Sequence, residues 1–383
     1  MRLYFDSVRL VVHTVIVSLT FLFFANTTIA KVQDICVLLD ELRSGSWNIS
    51  SPGGFRLTRC GGSAVVRAPS QDLVVTVRRG GQVRVNGKLM RHDNMTLTPQ
   101  RGRLQFSGKS YDGVLQLVVR EGTAYLVNVL PLEEYVSSVL RTESWPGWPL
   151  EVNKALAIAS RSYALAMRRR AKKNNRPYDL KNTNKHQTYA GAHDCDLLKK
   201  AVEMTHGVYL AHEDKPIIAM FDACCGGVVP ANVANFDFTR APYLARKKAC
   251  THCKRCKIYS WQVSWPLEMF EKMFRPRVVS LGGLRDVRVA QKDSAGLSKN
   301  VMLKGRKGQL QFSGDRIYSL LKEVKSYCFD VTTKNGTVTM SGRGFGHHIG
   351  LCQWGAREMV RDGWNYKRVL QFYYPGTQLK RIA

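Results

Sequence analysis

The chain has 383 residues, with 58 Lys plus Arg against 29 Asp plus Glu, and a formal charge of +29. Its 44% hydrophobic and 10% aromatic content can build a core, which excludes a disordered polycation, because apolar burial is what offsets chain entropy. The length fits one large domain or two ordinary ones, and so large a basic excess favours an anionic partner: nucleic acid, a membrane surface or an anionic cell-wall glycan.

The N-terminus narrows that choice. Arg2 and Arg9 give a positive start, residues 10–25 are nearly continuous apolar sequence, and small or polar residues 26–30 precede Lys31. This is the layout of an export signal cleaved after Ala30. An uncleaved anchor is the alternative, although the run is short for a membrane helix. Cleavage would remove two arginines and one aspartate, leaving the mature chain almost as basic. Export argues against nucleic acid as partner and favours a cell-wall polymer.

Residues 31–125 read as β-rich. Residues 73–77 form a strand, and 83–85 meet 88–90 across Asn86-Gly87, the strongest two-residue hairpin signal. Leu115, Leu117 and Val119 alternate, and strand character continues through 124–129. The pentapeptide at 104–108 (LQFSG) recurs at 310–314, a hint of similar strand–turn pieces. At Pro131 the period changes. Leu132, Tyr135, Val136, Val139 and Leu140 make one apolar stripe of a helix that ends near Ser144, before Pro146, Gly147 and Pro149. A second helix is expected over 150–170, its basic end (Arg168, Arg169, Arg170, Lys172, Lys173) suited to the negative end of the helix dipole. Residues 174–195 read as loop and 196–206 as a short helix. Strands and turns, a Cys-rich stretch, a mixed region and a Gly-rich segment then lead into a C-terminal helix.

Glu143 stands out from the residues alone. It follows the apolar stripe and sits at a helix C-terminus, so burial and dipole should both favour its protonated form. Trp145 and Trp148 follow it, apolar plates of the kind that line sugar sites. A protonated carboxyl beside aromatic surface is what glycosidic cleavage requires. The competing reading is a Glu paired with Arg141 or Arg161 at a helix junction.

Several motifs then occur in one order. They are the run from Leu130 to Val136 (LPLEEYV), Glu143, the run 155–165 (ALAIASRSYAL), Gln187-Thr188-Tyr189-Ala190-Gly191, and Cys224-Cys225-Gly226-Gly227. The run 344–356 (GFGHHIGLCQWGA) and Tyr373-Tyr374-Pro375-Gly376-Thr377 complete the series. Together they resemble the SpoIID/LytB-domain family, the stage II sporulation protein D family, over about residues 126–383. The resemblance implies an α+β, SpoIID-like domain of mixed β-structure and helices at 126–383. It would follow a small β-rich accessory region (31–125) and the signal (1–30). It implies an exported, periplasmic or cell-envelope lytic transglycosylase acting on peptidoglycan glycan strands, preferably stripped of peptides. Such an enzyme cleaves between N-acetylmuramic acid and N-acetylglucosamine, leaving 1,6-anhydromuramic ends. The family's catalytic glutamate falls on Glu143, its helix arginine on Arg161, and its glycine-rich motif places His347 and Gln353 near substrate.

The chemistry agrees with the local reading. A glycosidase that uses water needs a second carboxylate, whereas a transglycosylase uses the sugar's own 6-hydroxyl, and one carboxyl can serve as acid and then base. Residues 341–357 contain no Asp or Glu. Arg161 would orient Glu143 or hold a muramic carboxylate, or form a structural salt bridge. His347 would donate to a sugar hydroxyl, or be a turn residue satisfied by backbone. The glycines at 342, 344, 346 and 350 stand outside any βαβ frame, which argues against a nucleotide loop. Three residues depart from the family pattern: Asp222 where a His is frequent, His348 in place of a small residue, and Cys352 in place of Ser.

There are ten cysteines. Cys250, Cys253 and Cys256 at two-residue spacing, with Cys225 from the turn, would supply four thiolates to a tetrahedral zinc. Some members of the family that the chain resembles carry a zinc near the same turn. Such a zinc would be structural, since cleavage needs none. Disulfides are the alternative in an oxidising compartment, with Cys36 and Cys60 a natural pair. A cell-wall amidase is the further partner implied, because relatives with this domain are described as amidase enhancers. A glycan-binding module that stimulates such an enzyme is therefore the rival reading. Nucleic acid is not expected, and a membrane only through an uncleaved N-terminal segment.

Overall fold

The structure is a computed structural model that describes residues 33–59, 65–68, 71–90, 94–145, 147–183 and 186–382. The expected signal at 1–30 and the Cys60 half of the expected Cys36–Cys60 pair lie outside these residues. The fold is α+β, 28% helix and 37% strand. None of the described helices is long and apolar enough to cross a membrane.

The N-terminal part is two stacked sheets. One has seven strands, in the order 180–181, 34–42, 123–131, 114–120, 94–99, 55–59 and 65–68; the other has six, from 109–111 through 45–50 and 72–78 to 88–89. Alternation along each strand sends Trp47, Ile49, Leu73, Val75 and Val77 from one sheet and Phe55, Leu57, Leu115 and Leu117 from the other into one core. The Asn86-Gly87 turn has positive φ at both residues, 46° and 79°, the type I′ geometry that matches strand twist. The long strand Asp34–Leu42 lies between Thr123–Pro131 and Leu180–Lys181, so the sheet carries a strand from the helical part of the chain.

Thr123–Pro131 runs straight into α1 (Leu132–Glu143), whose apolar stripe is buried as the spacing predicts. Next comes α2 (Leu150–Lys173), with buried residues on nearly every side from Val152 to Met167. A helix buried all round is a central helix. It packs against α1, α3 (Asp196–Met204) and the two C-terminal helices. Each fully buried Val, Leu or Ile on it contributes about 1.5–3 kcal/mol of transfer free energy.

The mixed region folds as a lobe with its own core. Ser260–Pro266 lies opposite Thr337–Arg343, pairing Ser260 with Arg343 at the neck where the lobe begins and ends. Between them are α4 (Leu267–Phe274), a meander of strands 284–292, 298–305 and 309–313, and α5 (Gly314–Leu320). Trp265, Phe270, Phe274, Val301, Leu303 and Met340 fill its interior. The repeated pentapeptide forms a strand both times and then diverges. Gly108 (φ 73°) turns a hairpin, whereas Gly314 opens α5, at a site where a Cβ would meet Ser298 O at 1.9 Å. The chain closes with two helices where one was expected, α6 (Gln353–Arg361) and α7 (Tyr366–Tyr373), split at Gly363 (φ 85°).

Candidate functional site

Glu143 is the last residue of α1 and stands half-buried in a groove of about 350 Å³. The motif at 187–191 fixes it. Thr188 N–H donates to Glu143 Oε1 at 3.2 Å, and Thr142 Oγ1 donates back to Thr188 O at 2.7 Å, so the helix end and the loop clamp each other. Gln353, the first residue of α6, donates from Nε2 to Glu143 Oε2 at 3.4 Å. These partners are a backbone N–H and an amide, not Arg141 or Arg161. Gln187 is itself buried. Its Oε1 accepts from Tyr135 Oη at 2.9 Å, while its Nε2 has no partner among the described residues. Gln187 lines the groove wall, but this amide nitrogen is itself shut off from solvent.

Other walls come from distant segments. Tyr163 of α2 and His186 meet edge-on, Phe221 and Asp222 lie on a short strand, and His347 comes from the glycine-rich turn. Asp222 is the second carboxyl that fold proximity brings in. It is buried, its Oδ2 accepts from His348 N at 2.7 Å, and burial holds it well above the usual carboxylate range. Burial thus disfavours the charged form that a water-activating base would need. Gly346 makes the fit possible, since a Cβ there would meet Asp222 Cβ at 2.4 Å.

Three sequence expectations are corrected. Arg161 is fully buried and does not face the groove. Its Nε and Nη2 grip both oxygens of Glu133, and Nη1 donates to Val208 O at 2.8 Å. It lies on the buried face of α2, where only a paired cation is tolerated, so it is structural. His347 lines the groove, but backbone takes both ring nitrogens. Nδ1 accepts from Ile349 N at 3.2 Å and Nε2 faces Phe221 O at 3.1 Å, which assigns the proton to Nε2. Desolvation of the ring lowers its pKa and keeps it neutral, leaving no N–H for a sugar hydroxyl. Trp148 is buried edge-on against Trp354, so of the two tryptophans only Trp145, 63% exposed, remains an accessible plate.

The cysteines meet in the core behind the groove. The Sγ atoms of Cys225, Cys250, Cys253 and Cys352 all lie within 4.8 Å of one another, and all four residues are buried. Cys352 thus stands where Cys256 was expected. The chain leaves the 3₁₀ turn His252–Arg255 in an extended conformation at Cys256, which places its sulfur 3.7 Å from Cys224 instead. All nine described cysteines are free thiols. The Cys225–Cys253 separation of 3.8 Å is far beyond a disulfide's 2.05 Å and equals the edge of a tetrahedron with zinc–sulfur bonds of about 2.3 Å. Cys352 Sγ also accepts N–H groups from Cys225 and Gly355, both at 3.2 Å, as a metal-bound thiolate does. The donor set fits a zinc-class ion.

Sequence reasoning did not reach Thr188 N–H or Tyr318. Tyr318 sits on α5 of the lobe and lines the Glu143 groove, with Tyr327 between it and the glycine-rich turn. Backbone donors carry no residue signature, and no spacing in the chain announces that this lobe reaches the site.

The site is thus an α+β groove with one hydrogen-bonded carboxyl at a helix end and a buried thiol cluster behind it. Residues 120–212 match the family model SpoIID, Stage II sporulation protein. Over these residues the chain is similar to the SpoIID family that its motifs resemble. An uncharacterized protein of Brachyspira hyodysenteriae is 27% identical over 365 residues, covering 93% of this chain and 94% of its own. Stage II sporulation protein D of Bacillus amyloliquefaciens is 27% identical over 66% of this chain and 75% of its own. The amidase enhancer of Bacillus subtilis is 27% identical over 64% of this chain, but the match spans only 40% of that protein.

Proposed function

We propose that this chain is an exported peptidoglycan lytic transglycosylase of the cell envelope, with Glu143 as the acid and then the base. The observation that carries the reading is a groove carboxyl held by Thr188 N–H and Gln353, while burial disfavours the charged form of the second groove carboxyl, Asp222. Protonated Glu143 gives its proton to the glycosidic oxygen as the bond from muramic C1 to that oxygen breaks. The carboxylate then takes the proton of the muramic 6-hydroxyl as O6 bonds to C1, forming the 1,6-anhydro ring. No water is consumed and Glu143 ends protonated. Exposed Trp145, two residues after Glu143, suits the face of a pyranose ring. The excess of basic residues suits the lactyl carboxylates of stripped glycan.

A zinc held by Cys225, Cys250, Cys253 and Cys352 would act as structural support, since the proposed steps pass through Glu143 alone. A second reading, a glycan-binding module that stimulates a cell-wall amidase, draws on the name of the Bacillus subtilis relative. Mass analysis of digests of peptide-stripped glycan separates the two. The wild-type chain should release 1,6-anhydromuramic ends and Glu143→Ala none, with its circular dichroism unchanged. Undiminished anhydro product from that variant would sink the mechanism, and product from neither chain would favour the binding module.

A further inference from the structure

A second pocket, of about 160 Å³, lies beside the Glu143 groove, between the lobe and the segment that follows the Cys-Gly-Gly turn. Two stretches of chain line both. Tyr318 lines the groove, and Asp315, three residues back on α5, lines the pocket; His347 lines the groove and Ile349 the pocket. Three residues of helix rise about 4.5 Å, the scale of one sugar ring along a strand. Tyr327 is the partition, its ring 6.1 Å from that of Tyr318 and its hydroxyl donating to His347 O at 3.1 Å.

Hydrogen bonds between the lobe and the core hold the pocket open. Asp293 Oδ2 accepts from Ala234 N–H at 3.2 Å, and Oδ1 accepts from Ala295 and Leu297 N–H at 3.0 and 2.8 Å. Ser294 Oγ donates to Asn232 O at 2.8 Å alongside. Both oxygens of Asp293 are thus engaged in the wall. The floor is apolar, made by buried Val233, Leu297 and Ile349, and half-buried Phe236 adds an aromatic side. At the rim Asn235, Lys299 and Asp315 are exposed, with no ion pair or side-chain hydrogen bond among the described residues. An apolar floor, an aromatic side and free polar groups of both signs suit an acylated sugar that carries an acid.

We propose that this pocket is a second glycan subsite, which takes an N-acetylmuramic acid unit by pairing its lactyl carboxylate with Lys299. The inference rests on the function proposed above. Asp315 accepts a hydroxyl or amide proton of the same sugar, and the acetamido methyl meets the apolar floor. The alternation of the strand then sets its direction. The scissile bond has N-acetylmuramic acid on one side and N-acetylglucosamine on the other, so a muramic unit one step from the groove lies beyond the glucosamine. The pocket therefore holds the leaving side of the strand.

The test is calorimetric titration of the full chain carrying Glu143→Gln, which binds glycan without cleaving it. Two probes are compared: a peptide-stripped hexasaccharide of alternating units, and chitohexaose, which lacks lactyl carboxylates. Adding Lys299→Glu should weaken the stripped hexasaccharide about tenfold at low salt, and less as salt screens the contact. Chitohexaose should be held as before. Phe236→Ala should weaken both probes severalfold. Unchanged affinity of Lys299→Glu for the stripped hexasaccharide, or an equal loss for both probes, overturns the muramic subsite. Release of anhydro ends by the wild-type chain is scored separately, so that either result leaves the lytic reading standing. A chain that binds neither probe removes the glycan reading and the subsite together.

Discussion

Gln353 and Glu143 are 210 positions apart, yet the Gln353 amide donates to Glu143 Oε2 at 3.4 Å. Their meeting joins the end of α1 to the start of α6, and so ties the carboxyl to the segment that holds Cys352. Thr188 N–H occupies the other oxygen, leaving the carboxyl plane fixed from two sides.

Gln353→Ala should therefore loosen Glu143 without emptying the groove. A hydrogen bond of this length contributes about 1 kcal/mol, so kcat should fall roughly five- to tenfold. KM should change little, because the amide is engaged with Glu143 rather than with sugar. Steady-state kinetics on stripped glycan read the split, and a raised KM with normal kcat would show instead that Gln353 binds substrate.

Arg161→Ala should act on stability. It leaves Glu133 without its bidentate partner and removes the donor to Val208 O, and breaking a buried pair from one side costs about 3–5 kcal/mol. Glu133 is 22% exposed, so solvent recovers part of its side, and a loss near the lower figure is expected. Urea unfolding measures it. At low temperature the folded variant should keep wild-type KM, and a KM effect with unchanged stability would return Arg161 to the substrate.

The elements were legible where the signal was local. The stripe of α1, the Asn86-Gly87 hairpin and the position of Glu143 followed from spacing and turn chemistry. Arg161 was misplaced because its partner, Glu133, lies 28 residues away, and the sequence does not show which face of a central helix is buried. Cys256 was favoured over Cys352 because the two-residue spacing is conspicuous, whereas Cys352 reaches the cluster only through the parallel pairing of Asp222 with Cys352. That pairing also links the three departures from the family pattern. His348 N–H donates to Asp222, and His348 Nδ1 lies 3.0 Å from the carbonyl of Cys225. Seen singly in sequence they were anomalies, while in the fold they are neighbours that accommodate one thiol cluster.

Tyr318→Ala tests whether the lobe is part of the site. The ring lines the groove from α5, so its loss should weaken sugar contact and raise KM severalfold to tenfold, about 1 kcal/mol of aromatic contact. The carboxyl and its two donors are untouched, so kcat should hold. Tyr318→Phe should restore KM if the ring face is what binds. A Phe variant as weak as Ala would assign the effect to the hydroxyl.

Acid should destabilise the groove before it protonates ordinary carboxylates. His347, His348 and His186 all have pKa values below the usual imidazole value, each chiefly through desolvation, His348 down to about 4, and nearby Arg176, Lys181 and Arg170 depress His186 further. Below about pH 6.5 the unfolded chain takes up protons that these three rings refuse in the fold. Stability is therefore complete above that pH, falls as pH drops through it, and levels only below the folded values. Each group adds a slope of at most about 1.4 kcal/mol per pH unit, and His186, only half-buried, adds less. Denaturant midpoints at pH 7.5, 6 and 5 should decline in that order, and His347→Gln should flatten the decline while keeping a side-chain amide for Phe221 O. Midpoints that stay level across this range, or a variant that declines as steeply as wild type, would show that His347 is protonated as readily in the fold as out of it.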